Sequence, residues 1–274
     1  MMIRAAVVWA GAAMLSACAP ATRHEQKDAP VIVSLNPCTD AILAEIAPGH
    51  LAAISHYSHD PAGSSMPPDL AARFPAVSGN AEEVAARRPD IVVAAMFLPP
   101  ATEQALQRMG IRVVKTGSIA NVDDAIAQVR DLASLAGEVA AGERLVQRIE
   151  ASLTIQGNVD PVPALVWQSG GLVPGEGVLI SDLLTRAGFT NWSAGRGLGQ
   201  GAILPLEQVL ADPPPLIIAA GKGGEENRKL RHPALNALHD TRRVDFDPKL
   251  LYCGGPTIPL AMARLTEIRA EVAP

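Results

Sequence analysis

Short apolar runs alternate with helical patterns along most of the chain. Residues 31–35 read as a strand, and a turn at Asn36-Pro37 leads into residues 39–47, where Ala41, Ile42, Leu43 and Ile46 fall on or near one helix face. Strands follow at 51–55, 91–95 and 113–116, with a helix at 100–109 and a loop rich in Gly, Ser and His at 56–65. After a middle segment the alternation resumes, with strands at 164–168, 216–220 and 243–246 and helices at 178–187, 206–210 and 259–272. Strands separated by helices predict α/β lobes with mainly parallel sheets, one before the middle segment and one after it.

The middle segment has a different period. From Val122 to Leu153 there is no proline, and Val122, Ile126, Val129, Leu132, Leu135, Val139, Leu145, Val146 and Ile149 recur at helical spacing. One continuous helix over these residues would run roughly 45 Å at 1.5 Å per residue. Gly137 and Gly142 are mild faults in it, costing about 1 kcal/mol each relative to alanine. The expectation is a helical spine joining two lobes; two helices broken near Gly137 are the alternative.

The two lobes share a unit. Asn80-Ala81-Glu82-Glu83-Val84 opens a short helix that leads through Pro89 into the strand at 91–95. Pro205-Leu206-Glu207-Gln208-Val209 does the same through Pro213 to Pro215 into the strand at 216–220. Each helix carries an acid near its start, Glu82 in one and Glu207 in the other. One acidic knob per lobe suits docking on a two-fold symmetric partner, while a lone acid at that position would simply favour a helix N-terminus.

Composition changes the picture in three ways. The chain has 274 residues, 48% hydrophobic and only 3% aromatic, so its cores are built from Ala, Val, Leu and Ile. A formal charge of −5 offers no electrostatic case for nucleic acid. The first residues have the form of an export signal: Arg4, a short apolar run from 5 to 15, then Leu15-Ser16-Ala17-Cys18. That ending looks like a bacterial lipobox, which would acylate Cys18 and cleave before it; an ordinary secretory signal that happens to contain Cys is the alternative. Residues 18–30 then read as a flexible tether, polar and without periodicity. The implied layout is a signal peptide at 1–17, a lipidated tether at 18–30, an N-terminal lobe at 31–120, a connecting helix at 121–154 and a C-terminal lobe at 155–274. Export also bears on Cys38 and Cys253, an even pair at opposite ends of the folded chain in an oxidising compartment. A disulfide between them would tie the lobes together and contribute on the order of 5 kcal/mol; two unpaired thiols or a soft-metal site are the other readings.

These segments carry a resemblance. Val31 through Asp40, the two glutamate-bearing units, and Tyr252-Cys253-Gly254-Gly255-Pro256 before the last helix resemble the vitamin B12- and ferric-siderophore-binding proteins of ABC importers, in order and spacing over nearly the whole exported chain. The resemblance implies two α/β lobes with mainly parallel sheets joined by one long helix, a ligand cleft between them, no resident cofactor and no chemistry of its own. It also implies a monomer of the periplasm or cell envelope, held to a membrane by its lipid, that delivers a metal chelate to a permease dimer. The family's docking glutamates map onto Glu82 and Glu207.

Loops at the C-terminal ends of strands are where such a cleft would contact ligand. They carry the flat or soft side chains Tyr57, Met96, Phe97, Trp167 and Tyr252 as candidate contacts. The chain departs from the vitamin B12 type in lacking tryptophans at Ser78-Gly79 and Leu198-Gly199. Arg196 is the sole cationic residue on these loops, which disfavours a highly anionic catecholate. A corrinoid and a fairly neutral ferric siderophore both stay open. His56 and His59 flank Tyr57 and suggest a haem-binding carrier, or with Asp60 a metal-dependent periplasmic enzyme; no metal site is assigned to them. A sensor or chaperone that never meets a permease is a further alternative. No catalytic triad, phosphate loop or nucleophile elbow is found.

Overall fold

The computed structural model describes residues 29–153, 160–221, 228 and 230–272. The expected signal peptide, Cys18 and nearly all of the tether lie outside the described residues. Five strands, β1 (Ile32–Ser34), β2 (Leu51–Ser55), β3 (Ala76–Val77), β4 (Ile91–Ala95) and β5 (Arg112–Thr116), form a parallel sheet in the order β3-β2-β1-β4-β5. A second lobe contains β6 (Val162–Gln168), β7 (Leu172–Val173), β8 (Phe189–Asn191), β9 (Ala202–Ile203), β10 (Leu216–Ala220) and β11 (Arg242–Phe246). Its parallel sheet has the order β11-β10-β6-β8, and β7 and β9 pair separately as an antiparallel ribbon.

The two sheets repeat one connectivity. In each, the first strand lies inside, the next goes to one side, and the last two go to the other, so β2-β1-β4-β5 corresponds to β8-β6-β10-β11. The matching inner strands β4 and β10 read Ile-Val-Val-Ala-Ala and Leu-Ile-Ile-Ala-Ala and are buried almost throughout. Apolar runs without alternation are what a parallel strand covered on both faces requires.

Helices α1 (Pro37–Ile46), α2 (Pro68–Ala71), α3 (Ala81–Ala85) and α4 (Pro100–Arg108) belong to the first lobe. α1 starts where the Asn36 side chain accepts a hydrogen bond from the Cys38 amide at 2.9 Å, and α3 where Asn80 accepts from the Glu82 amide at 2.8 Å.

The middle segment corrects the expectation of one spine helix. It is two helices, α5 (Val122–Ala136) and α6 (Val139–Ser152), folded against each other. Gly137 adopts φ 76° and ends α5, and the Glu138 amide closes the turn on the Ala133 carbonyl at 2.8 Å. Gly142 then seats α6 on α5, because a Cβ there would fall 2.4 Å from the Ala133 Cβ. Arg130 Nε reaches Glu143 Oε1 at 2.7 Å across the hairpin. The two glycines are therefore what the hairpin is built on.

The hairpin still joins the lobes. α5 packs on α1 of the first lobe and on α7 (Leu179–Arg186) of the second; α6 packs on α1 and on the closing helix α9 (Thr257–Glu271). One continuous core runs from Ile42 through Val129 and Leu145 to Leu183 and Leu265. Smaller cores cover the outer face of each sheet, around Val92 in the first lobe and around Trp167 and Trp192 in the second. No helix among the described residues is long and apolar enough to cross a membrane.

Candidate ligand-binding site

A cavity of about 420 Å³ opens between the lobes at the carboxyl ends of β1, β4, β5 and β6. β1–β4 and β6–β10 are the neighbouring strands where each sheet reverses its strand order, the usual position for a ligand crevice in an open α/β sheet. From the first lobe, Met96 and Phe97 follow β4 directly, and Thr116 through Ile119 follow β5. The second lobe contributes Gln168 at the end of β6, Pro174, and Gln200 from a glycine-rich loop. Gly175 lets that loop close in: a Cβ there would lie 2.4 Å from the Gln200 nitrogen.

The floor of the cavity is the junction of the lobes. Cys38 at the start of α1 is bonded to Cys253, 215 residues away, with Cα atoms 5.0 Å apart. The chain then passes α5 and α1 closely. A Cβ on Gly254 would lie 2.9 Å from Ile119 Cδ1, and one on Gly255, at φ 62°, would lie 2.5 Å from Ile42 Cγ1. At Gly255 the positive φ and the Ile42 side chain leave room for hydrogen alone, while a methyl at Gly254 would push on Ile119 and Ala125.

Of the five candidate ligand contacts, three line this cavity. Met96, Phe97 and Tyr252 do so while remaining 61%, 88% and 54% exposed. Burial, and then the Asp247 carboxylate, hold the Tyr252 phenol above its ordinary value, so it stays protonated and can donate.

Trp167 is a correction. It is 0% exposed and its Nε1 donates to the Leu204 carbonyl at 3.3 Å. Strand parity explains this: Ala164 and Val166 of β6 face the main core, so Leu165 and Trp167 face the outer one. Tyr57 is exposed but does not line the cavity either. Its 3-10 turn, His56–His59, follows β2, which is one strand removed from β4. Around it, His56 Nδ1 lies 3.3 Å from the Val77 carbonyl and His59 Nε2 lies 3.0 Å from the Phe74 carbonyl, so one ring nitrogen of each histidine is tied to backbone. Among the described residues, no group of three or more His, Cys, Asp or Glu side chains could hold a metal ion.

Among the described residues, the cavity lining contains no charged side chain. Arg196 turns away from it, stacking 3.5 Å over Trp192 and donating from Nε to Asp212 at 2.7 Å. Charges of both signs, Arg112, Lys115, Asp124 and Asp131, appear in an adjoining hollow beyond Gln128, where Lys115 is paired with Glu103 at 2.9 Å. Sequence reasoning places the loops around Gln168 and Gln200 at the cleft, yet singles out neither side chain. A single glutamine on a loop or a mixed helix face has no pattern to mark it, and Gln128 of α5 is missed for the same reason.

Glu82 and Glu207 occupy matching places. Each is the second residue of a short helix, α3 and α8 (Leu206–Ala211), that enters a corresponding strand, β4 or β10. Both are exposed, and neither has an ion pair to a described residue.

Comparison with known proteins agrees with this architecture. The sequence model of the periplasmic binding protein family matches residues 32–239. No curated protein matches the chain in sequence. Similar solved structures include the periplasmic heme binding protein HutB of Vibrio cholerae, at 20% identity and a TM-score of 0.70, covering 89% of this chain and 99% of that one. The periplasmic heme-binding protein RhuT from Roseiflexus sp. RS-1 shares 22% identity at a TM-score of 0.68, covering 88% and 97%. The periplasmic vitamin B12 binding protein BtuF of Vibrio cholerae shares 17% identity at 0.67, covering 88% and 97%. At these identities the likeness establishes the fold.

Proposed function

The chain belongs to the periplasmic binding protein family, and on that premise we propose that it is the substrate-binding component of an ABC importer. It captures a metal chelate, a corrinoid or a ferric siderophore, between its lobes and delivers it to a membrane permease. The observation that carries this reading is the interlobe cavity at the strand switch points, presenting Met96, Phe97 and Tyr252. Flat apolar and soft side chains around a concave site suit a macrocycle or an organic chelate. The protein binds and releases; no catalytic step is assigned to it.

Docking is assigned to Glu82 and Glu207. Their equivalent positions in two repeated lobes, their exposure and their lack of ion pairs to described residues support contact with cationic residues on a two-fold permease. Such charges set the rate and orientation of encounter more than raw affinity. Residence in the periplasm as a monomer, held to a membrane through lipid on Cys18, completes the reading.

A haem carrier is the second reading, favoured by the iron-binding atom types of Met96 and Tyr252 in the cavity and by haem-binding proteins among the similar folds. Against it, His56 and His59 are outside the cavity.

Charge reversal tests delivery. Cells relying on this protein for chelate uptake should lose it with Glu82→Lys and Glu207→Lys combined, while the purified variant keeps its affinity for the chelate. Uptake that survives the double reversal at normal protein level would refute the docking assignment.

A further inference from the structure

We propose that the cleft selects for chelates without net charge, and that the carboxamides of Gln128, Gln168 and Gln200 are its specificity-determining groups. This rests on the reading of the protein as a chelate carrier and names the ligand class. Three observations lead to it. Among the described residues, the lining carries no ionisable group other than the Tyr252 phenol, which stays neutral. Among the described residues of the cleft loops, Arg196 is engaged by Trp192 and Asp212. The Gln128 Oε1 is enclosed and makes no hydrogen bond to a described residue, and neither the Gln168 nor the Gln200 side chain is hydrogen-bonded to one.

An anion entering such a cleft loses water and meets no counter-charge from a described residue, a cost that works as selection against it. A neutral ligand has no such cost. A carboxamide offers two N–H donors and one carbonyl acceptor, so three of them converging from α5, β6 and the 199–201 loop can pair both ways with amides of a ligand. The Gln128 oxygen has no hydrogen bond to a described residue, and a ligand N–H or O–H would satisfy it. Gln128 also comes from the helical hairpin that joins the lobes, while Gln168 and Gln200 come from the second lobe, so one ligand would touch both the joint and a lobe. The ligand class is a metal chelate that is uncharged overall and rich in amide groups. Its source is either a corrinoid with carboxamide side chains or a neutral peptide hydroxamate.

Calorimetric titration of the full mature protein tests this with four probes: cyanocobalamin and ferrichrome, both uncharged, and ferric enterobactin and haemin, both anionic. At least one uncharged chelate should bind on the order of tenfold or more tighter than either anionic one. Which of the two binds identifies the source. Gln128→Leu, Gln168→Leu and Gln200→Leu should each weaken that binding by about fivefold, the net worth of one neutral hydrogen bond. Tyr57→Phe, outside the cavity, should leave it unchanged. Should a leucine variant fail to fold, Gln200→Glu on the exposed loop places a charge in the cleft and should weaken an uncharged ligand as well. Tighter binding of an anionic chelate, or unchanged affinity in all three leucine variants, would overturn the inference while leaving the carrier reading intact. Binding of none of the four would overturn both.

Discussion

Asp40 should give the fold a pH dependence of unusual sign. The side chain is completely buried on α1, with Oδ2 accepting from the Ser55 amide at 2.9 Å and from the Ser58 hydroxyl at 2.6 Å, while Oδ1 has no partner among the described residues. Burial raises its pKa from 3.8 to about 7, outweighing the opposite pull of the hydrogen bonds from Ser58 and Ser55. The unfolded chain ionises this carboxyl near its ordinary value. Between about pH 4 and pH 7 the folded protein therefore holds a proton that the unfolded chain has lost. The stability linked to it is fully present below about pH 4 and disappears as pH rises through about 7. A rise of that size corresponds to roughly 4 kcal/mol. Asp40→Asn keeps an acceptor oxygen for Ser55 and Ser58 and cannot ionise. Urea unfolding of both proteins at intervals from about pH 4 to about pH 8 isolates the effect, because every other titrating group cancels in the difference. The Asp40→Asn variant should gain on the parent by roughly 3–4 kcal/mol across that range. A difference that stays flat, or that moves toward the parent as pH rises, would refute the reasoning.

Other perturbations separate the cleft from its support. Replacing both Cys38 and Cys253 by alanine should cost about 5 kcal/mol in urea unfolding, since the bond closes a loop spanning 215 residues; a loss below about 1 kcal/mol would deny the bond this role. Gly142→Leu should destabilise by about 2–3 kcal/mol in thermal unfolding, because the space is already filled by Ala133, and a neutral result would mean that α6 does not fold back on α5. Trp167→Ala should cost about 3–5 kcal/mol of stability. Phe97→Ala, at an exposed position, should leave the unfolding midpoint unchanged and weaken chelate binding by about tenfold. An exchange of these two outcomes would place the wrong aromatic in the cleft.

The parallel strands are legible in the sequence because continuous runs such as Ile91 to Ala95 and Leu216 to Ala220 have few other homes. The two glutamate units are legible because the same order of cap, acid, proline and strand occurs twice. The hairpin is not: an apolar stripe of period 3.6 looks alike whether one helix continues or two pack antiparallel, and only the left-handed turn at Gly137 separates the cases. β3, β7, β8 and β9 contain two or three residues each, too few for a period to register. In the cleft, Met96 and Phe97 are legible from their position just past β4. Trp167 is not, because a strand-end residue can face a core or the ligand, and that choice depends on the parity of the whole strand. The glutamines carry no sequence pattern at all; they stand out only when three elements bring them to one cavity.

Chelate binding is read most directly in the native mass spectrum of the mature protein after incubation with an equal mixture of cyanocobalamin, ferrichrome, ferric enterobactin and haemin. A chelate carrier with this cleft should show a protein mass increased by one chelate, with an uncharged one predominating. A spectrum showing only the ligand-free protein would contradict its assignment as a chelate carrier.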